Sequence, residues 1–177
     1  MSHLIYDHVR KVLSLLDRDG SEVGAWHANN NVDLRVGLSS LPNGFYSITT
    51  EDRTKPHRHP GSTHAGLVDD STEGKFGPAG IIRLDDFKVN GTPHSGVGIH
   101  SGRKKILDKA GRKGVDHATE LCIRTTDVAM SMISMTIRQD PLEALIVRNS
   151  AVKGTFVRTA RTFHGIPFGK RPGKTAL

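Results

Sequence analysis

Turn-forming residues recur along the chain at short intervals and leave little room for long helices. The segments 17–20 (Asp-Arg-Asp-Gly), 41–44 (Leu-Pro-Asn-Gly) and 90–91 (Asn-Gly) combine residues that preset a turn or accept a positive φ. Short apolar runs lie between them, and several alternate as strand residues do. The pattern predicts strands at 4–7, 11–16, 23–28, 45–48, 81–84, 87–89, 97–100, 121–123 and 142–147, with the first two open to being one kinked strand.

One segment has helical character. Thr126 and Asp127 offer a cap and a carboxylate to a helix over 128–138, which Pro141 ends. Only 36% of the residues are hydrophobic and 5% aromatic, with 19 glycines in 177 residues, a composition that favours short strands over a helical bundle. We therefore expect a mostly β fold with one main helix. It forms a single domain over 1–157, followed by a basic, Pro/Gly-rich tail at 158–177.

The charge and the terminal sequence limit the partners and the route of the protein. A net charge of +7 favours an anionic partner. Aromatic residues are not interleaved with the basic ones, so nucleic acid is disfavoured and an anionic polymer such as peptidoglycan suits the charge equally well. One cysteine excludes an internal disulfide. The sequence has no signal-peptide pattern and no membrane-spanning apolar run, so we expect synthesis in the cytoplasm without general export.

The single cysteine, Cys122, has a histidine, His100, upstream of it at the end of another short apolar run. A thiol becomes a good nucleophile when an imidazole or a helix N-terminus lowers its pKa, and both are expected near Cys122. Backbone N–H groups around Leu121 and Cys122 would form an oxyanion hole. Ser101 would orient the imidazole through its carbonyl, and Arg124 would bring a cation beside the nucleophile for a substrate carboxylate.

Three motifs in this order resemble the catalytic domain of L,D-transpeptidases of the YkuD type. They are Pro42-Asn43-Gly44-Phe45-Tyr46-Ser47-Ile48, then His100-Ser101-Gly102, then Thr119-Glu120-Leu121-Cys122-Ile123-Arg124, with leucine at the position where the family has glycine before the nucleophile. The resemblance implies a β-sandwich or barrel, with Cys122 as nucleophile and His100 as base. It implies that Ser101 holds the histidine. It places Arg124, Thr119, Leu121 and Gly102 on the substrate side of the site.

The resemblance also implies a chemistry. Enzymes of this family carry an acyl group on the cysteine as a thioester, taken from a peptidoglycan tetrapeptide stem, and pass it to an amine, to water or to a D-amino acid. They need no cofactor or metal. A small version without a signal peptide resembles antibacterial effectors delivered by type VI secretion into the periplasm of a competitor. Such a protein would have secretion machinery and an immunity protein as partners.

Two other hypotheses come from different classes. The His-rich stretch with His57, His59 and His64 would bind zinc if His94 or His100 completed the site. If the chain is a transpeptidase, the surrounding irregular stretch, 51–78, is instead a lid or a wall of the cleft. The second hypothesis is a protein that binds peptidoglycan or nucleic acid and has lost catalysis, for which Leu121 is the main support.

Overall fold

The computed structural model describes residues 1–33, 37–58, 68–152 and 156–158, which form two β-sheets and one α-helix. The strands are β1 (Ser2–Asp7), β2 (Val12–Leu16), β3 (Glu22–Asn29), β4 (Gly44–Ser47), β5 (Ile81–Arg83), β6 (Phe87–Val89), β7 (Thr92–His94), β8 (Gly98–His100), β9 (Ile123–Thr125), β10 (Leu142–Arg148) and β11 (Phe156–Arg158). The helix is α1 (Asp127–Ile137). The expected mostly β architecture with one helix is confirmed.

The main sheet has eight strands in the order β4-β10-β1-β2-β3-β9-β8-β5. The strands β1, β2 and β3 form an antiparallel meander, which resolves the first predicted pair into two separate strands. Two pairs are parallel, β1 with β10 and β8 with β9. The second of these pairs brings together the chain segments that carry His100 and Cys122.

The main sheet curls until its two edges meet. Residues that follow the edge strands β4 and β5 exchange backbone hydrogen bonds: Thr49 N–H donates to the Arg83 carbonyl at 3.0 Å, and Asp85 N–H donates to the Ser47 carbonyl at 2.8 Å. This near-closure pairs backbone groups that an open sheet would leave exposed at its edges. The smaller sheet, in the order β11-β6-β7, follows directly from the β5 edge along the chain.

Helix α1 contributes one face to the hydrophobic core. Its buried residues follow helical spacing, and most of them join a cluster with buried strand residues such as Tyr6 and Tyr46: Ala129, Met130, Ile133 and Ile137. The predicted start is confirmed, because the Thr126 hydroxyl accepts a hydrogen bond from Ala129 N–H at 3.0 Å. Among the described residues, no helix has both the length and the apolar character needed to cross a bilayer.

The main differences from the predicted elements are two strands that were not predicted, β7 and β11, and the start of β9. Strand β7 was not predicted, because its sequence, Thr-Pro-His, has neither apolar alternation nor strand-forming residues at each position. Strand β9 begins at Ile123 rather than at 121, because the backbone of Leu121 leaves the extended region. The predicted domain boundary at 157 falls within β11, and the tail beyond Arg158 lies outside the described residues.

Candidate functional site

The pairing of β8 with β9 brings together the chain segments that carry the imidazole and the thiol. His100 pairs with Arg124 across these parallel strands. Cys122 lies one residue before β9, and its thiol is beside the Gly96 carbonyl and the Gly98 N–H at the start of β8. The two residues that the sequence proposed for catalysis are therefore brought to neighbouring positions.

The thiol of Cys122 is nearly enclosed, with 9% of the residue exposed. Its Sγ lies 4.0 Å from the Gly96 carbonyl. Burial raises the pKa of the thiol, and this outweighs the Gly98 N–H and the Arg124 charge, which lower it. The expected depression of this pKa is therefore wrong. Strand β9 also separates Cys122 from the first turn of α1, so the thiol does not directly precede the helix.

The imidazole of His100 is held in one tautomer by a backbone carbonyl. Its Nδ1 lies 2.9 Å from the Ser101 oxygen, which can only accept, so Nδ1 carries the proton and Nε2 is the basic nitrogen. This contact through the Ser101 carbonyl is the one predicted. Burial first, and the Arg124 charge second, hold the pKa of His100 well below its usual range. At neutral pH the pair is a thiol and a neutral imidazole.

Arg124 binds backbone carbonyls next to His100. Its Nη1 donates to the Ser101 carbonyl at 2.5 Å and to the Lys75 carbonyl at 3.2 Å. The residue is 3% exposed, and burial lowers the pKa of its guanidinium to about 10. The sequence assigned this residue to a substrate carboxylate. The structure gives the guanidinium two backbone acceptors, one of them the carbonyl that also fixes His100.

Residues 119–122, which end at Cys122, form a short loop that we call the nucleophile loop after the role proposed for this cysteine. Leu121 has a φ of +133°, a region that glycine enters freely and other residues avoid, and its side chain is fully buried. The Thr119 hydroxyl donates to the Cys122 carbonyl at 2.7 Å. Leu121 therefore keeps a backbone shape suited to glycine. The whole residue is inaccessible to solvent, so neither its side chain nor its backbone is open to a substrate.

Asn30 is a site residue that the sequence did not identify. Its side-chain amide donates to the carbonyls of Leu121 and Cys122 at 2.7 and 2.9 Å. The sequence indicated a polar turn at 29–31, but Asn29 ends β3 and Asn30 is 1% exposed. Three consecutive asparagines give no signal of which one is buried, so no sequence pattern would have singled out Asn30.

The segment 74–77, which we call the covering segment, lies against the histidine. The Phe76 ring packs edge-on against the His100 ring, with 5.1 Å between their centroids. A Cβ on Gly102 would stand 2.3 Å from the Gly74 carbonyl oxygen, and Gly102 has a φ of +89°. Part of the irregular stretch expected as a lid or wall therefore borders His100. Backbone of this segment, rather than open space for a substrate, occupies the room beside Gly102.

The histidines proposed for zinc do not converge within the described residues. The backbone of His57 forms an isolated antiparallel β-bridge with Ile81. His59 and His64 lie outside the described residues. The His94 ring stacks on Phe87 in the smaller sheet, whereas His100 belongs to the main sheet. In the part of the chain that the structure describes, no three His, Cys, Asp or Glu side chains form a group that could hold a metal ion.

Comparison with known proteins places two L,D-transpeptidases among the similar solved structures. No protein-family model matches the chain, and no curated protein matches it. L,D-transpeptidase 1 of Mycobacterium tuberculosis is 12% identical, with a TM-score of 0.45, over 84% of this chain and 61% of that one. An L,D-transpeptidase from Mycobacterium smegmatis is 13% identical, with a TM-score of 0.47, over 84% and 58%. The chain thus spans about three-fifths of the length of these two proteins.

Proposed function

We propose that this chain is a cysteine acyltransferase that acts on the tetrapeptide stems of peptidoglycan through a thioester on Cys122. The observation that carries the proposal is the placement of a buried thiol, one residue before β9, beside the parallel strand β8 that ends in a tautomer-fixed imidazole. The motif around Cys122 and the net charge of +7 support the choice of substrate. Transfer to an amine, to water or to a free D-amino acid uses the same first step.

In the proposed first step, Nε2 of His100 takes the thiol proton while Sγ of Cys122 attacks the carbonyl before the terminal D-alanine. The backbone N–H of Cys122 stabilises the oxyanion that forms. Collapse of this intermediate breaks the peptide bond, and the departing amine takes the proton from His100. The acceptor, an amine or water, then attacks the thioester and gives a proton to His100. The carbon–sulfur bond breaks, and the departing thiolate takes that proton from His100, which restores the thiol.

The electrostatics of the site suit a base that acts only when substrate is bound. A buried thiol with a raised pKa does not form a resting thiolate. A histidine with a lowered pKa stays unprotonated at pH values below the ordinary pKa of histidine, so it remains available as a base. The proton therefore moves during the attack on the carbonyl rather than before substrate binding.

Incubation with purified tetrapeptide muropeptides tests this proposal. We expect release of D-alanine, or exchange with an added labelled D-amino acid, by the wild-type protein and none by Cys122→Ala, because no other thiol exists in the chain. Mass spectrometry of the quenched reaction should show the acyl group on Cys122. Identical product traces for the two proteins would overturn the proposal. Binding of muropeptides without turnover would favour the binding-protein alternative.

The same two proteins test the proposed role as an antibacterial effector exported by a specialised secretion system. The peptidoglycan substrate lies in the periplasm, so toxicity should require delivery there. We expect wild-type protein fused to a periplasmic signal to lyse a bacterial host, and the Cys122→Ala fusion and the wild-type protein without the signal to be harmless. Toxicity of the Cys122→Ala fusion would contradict this role. An immunity protein should suppress lysis by the wild-type fusion.

A further inference from the structure

We propose that Asn30 is a positioning residue, whose side-chain amide holds the nucleophile loop in a backbone shape that Leu121 alone disfavours. The inference rests on the proposed function in one respect, that Cys122 is the nucleophile. It goes further by assigning the geometry of that nucleophile to a residue about ninety positions earlier in the chain. Asn30 touches neither thiol nor imidazole in this assignment, and it acts only through the loop backbone.

Every polar group of the Asn30 side chain is used. The Nδ2 group has two protons and donates to two consecutive carbonyls, those of Leu121 at 2.7 Å and Cys122 at 2.9 Å. The Oδ1 atom accepts from Leu41 N–H at 2.5 Å, and the Asn30 N–H donates to the Tyr6 hydroxyl at 3.1 Å. This residue is therefore fixed from three sides and presents its amide to the loop in one orientation.

The loop needs such a restraint because of the residue before the nucleophile. A φ of +133° at Leu121 brings its Cβ into conflict with neighbouring backbone, and a non-glycine residue remains there only when its surroundings impose it. Burial of the leucine side chain gives one constraint. The two hydrogen bonds from Asn30 give the other, with the Thr119 hydroxyl on the same Cys122 carbonyl.

The two hydrogen bonds also set the direction of the proposed oxyanion donor. In a planar trans peptide the N–H points opposite to the C=O. Because the Leu121 carbonyl is directed at Asn30, the Cys122 N–H of the same peptide unit is directed away from it. Loss of the amide would free this peptide to rotate, and a misdirected donor stabilises the tetrahedral intermediate less.

The test is Asn30→Ala with Asn31→Ala as its matched control. Asn31 is the next residue and has the same side chain, which donates to the Asp116 carbonyl at 2.8 Å; its backbone carbonyl, which alanine keeps, accepts from Thr119 N–H. We expect kcat for D-alanine release to fall about 100-fold in Asn30→Ala with little change in KM, because misplaced catalytic groups cost about that much. Asn31→Ala should match wild type. A lower Tm with unchanged kcat in Asn30→Ala would mean a merely structural role and overturn the inference.

Glycine at 121 provides a rescue, because it adopts a positive φ without a restraint. We expect Leu121→Gly to recover at least tenfold in kcat when added to Asn30→Ala, and to give no such gain in wild type. Additive effects of the two substitutions would contradict the proposed coupling.

Alkylation of Cys122 by iodoacetamide is a readout that needs neither turnover nor the glycine variants. Loosening the loop should expose the thiol, so we expect faster alkylation in folded Asn30→Ala than in wild type and Asn31→Ala. Equal rates in all three proteins would overturn the role of Asn30. Inactivity of wild type on muropeptides, with this difference in alkylation present, would instead count against the proposed function alone.

Discussion

The two halves of the site are held by different kinds of interaction. The nucleophile loop is fixed by neutral hydrogen bonds, from the Asn30 amide and the Thr119 hydroxyl to backbone carbonyls. On the other side, His100 is fixed by a carbonyl that a cation also binds, with Arg124 as that cation. One half is determined by hydrogen-bond geometry and the other by charge.

The imidazole half of the site contains two buried cations, Arg103 and Arg124. Arg103 and Arg124 are 7% and 3% exposed, and both lower the pKa of His100. Every Asp and Glu of the chain lies in the described residues, and within them neither arginine forms an ion pair. The hydrogen bonds to residues 121 and 122 position Cys122, whereas the cations beside His100 hold the pKa of its imidazole low.

The largest effect is expected from removal of the proposed base. We expect His100→Gln to lower the rate of D-alanine release by about 10²–10⁴-fold, the usual contribution of a general base. Iodoacetamide alkylation of Cys122 near pH 7 should change little, because the thiol is already neutral beside a neutral imidazole. A parallel loss of alkylation and turnover would show a resting thiolate–imidazolium pair and contradict the neutral pair.

A second substitution separates the charge of Arg124 from its hydrogen bonds. The pKa of His100 is lowered below 6.5, so the acid limb of kcat/KM should lie below that pH, with activity lost as pH falls through the lowered value. Arg124→Gln removes a cation that lowers this pKa, so the limb should move to higher pH. Arg124→Lys keeps the charge, and its limb should stay near that of wild type although the hydrogen bond to the Ser101 carbonyl is altered.

The control for these two variants is Arg112→Gln, which removes a partly exposed cation paired with the mostly buried Asp108; neither residue is among the charges that shift the pKa of His100. Its acid limb should coincide with that of wild type. The charge of Arg124 would have no part in tuning His100 if the Gln and Lys variants had the same pH profile.

Much of the fold could be predicted from local signals. Apolar alternation and turn residues located most strands, and the Thr126 cap and Pro141 located the helix, because these are properties of short stretches of chain. The pairing of β8 with β9 is not local. The parallel orientation of these two strands depends on the whole order of the sheet.

The residue types proposed for the chemistry could be chosen from sequence, but their electrostatics could not. A free cysteine and an upstream histidine suggest a nucleophile and a base, whereas the direction of their pKa shifts depends on burial, which is a property of the folded chain. Asn30 was missed for a related reason. Its partners, the Leu121 and Cys122 carbonyls, are backbone atoms distant in sequence, and no side-chain pattern indicates them.

The smallest expected effect is a change in stability on the imidazole side of the site, caused by alanine at Gly102. Gly102 and Gly91 have φ values of +89° and +83°, so alanine should cost about 1–2 kcal/mol of backbone strain at either position. At Gly91 the added Cβ meets nothing within 4 Å, whereas at Gly102 it stands 2.3 Å from the Gly74 carbonyl oxygen. Gly102→Ala should therefore lose about 1–3 kcal/mol more in the free energy of unfolding.

Urea denaturation of the two alanine variants measures that difference, and Cys122 alkylation shows where it acts. Displacement of the covering segment should disturb the packing of Phe76 on His100 and lower turnover, while the nucleophile loop keeps its hydrogen bonds and its alkylation rate. Equal unfolding free energies in the two variants would show that the covering segment does not press on Gly102. A change in alkylation as large as that in Asn30→Ala would show that the two halves are not held independently.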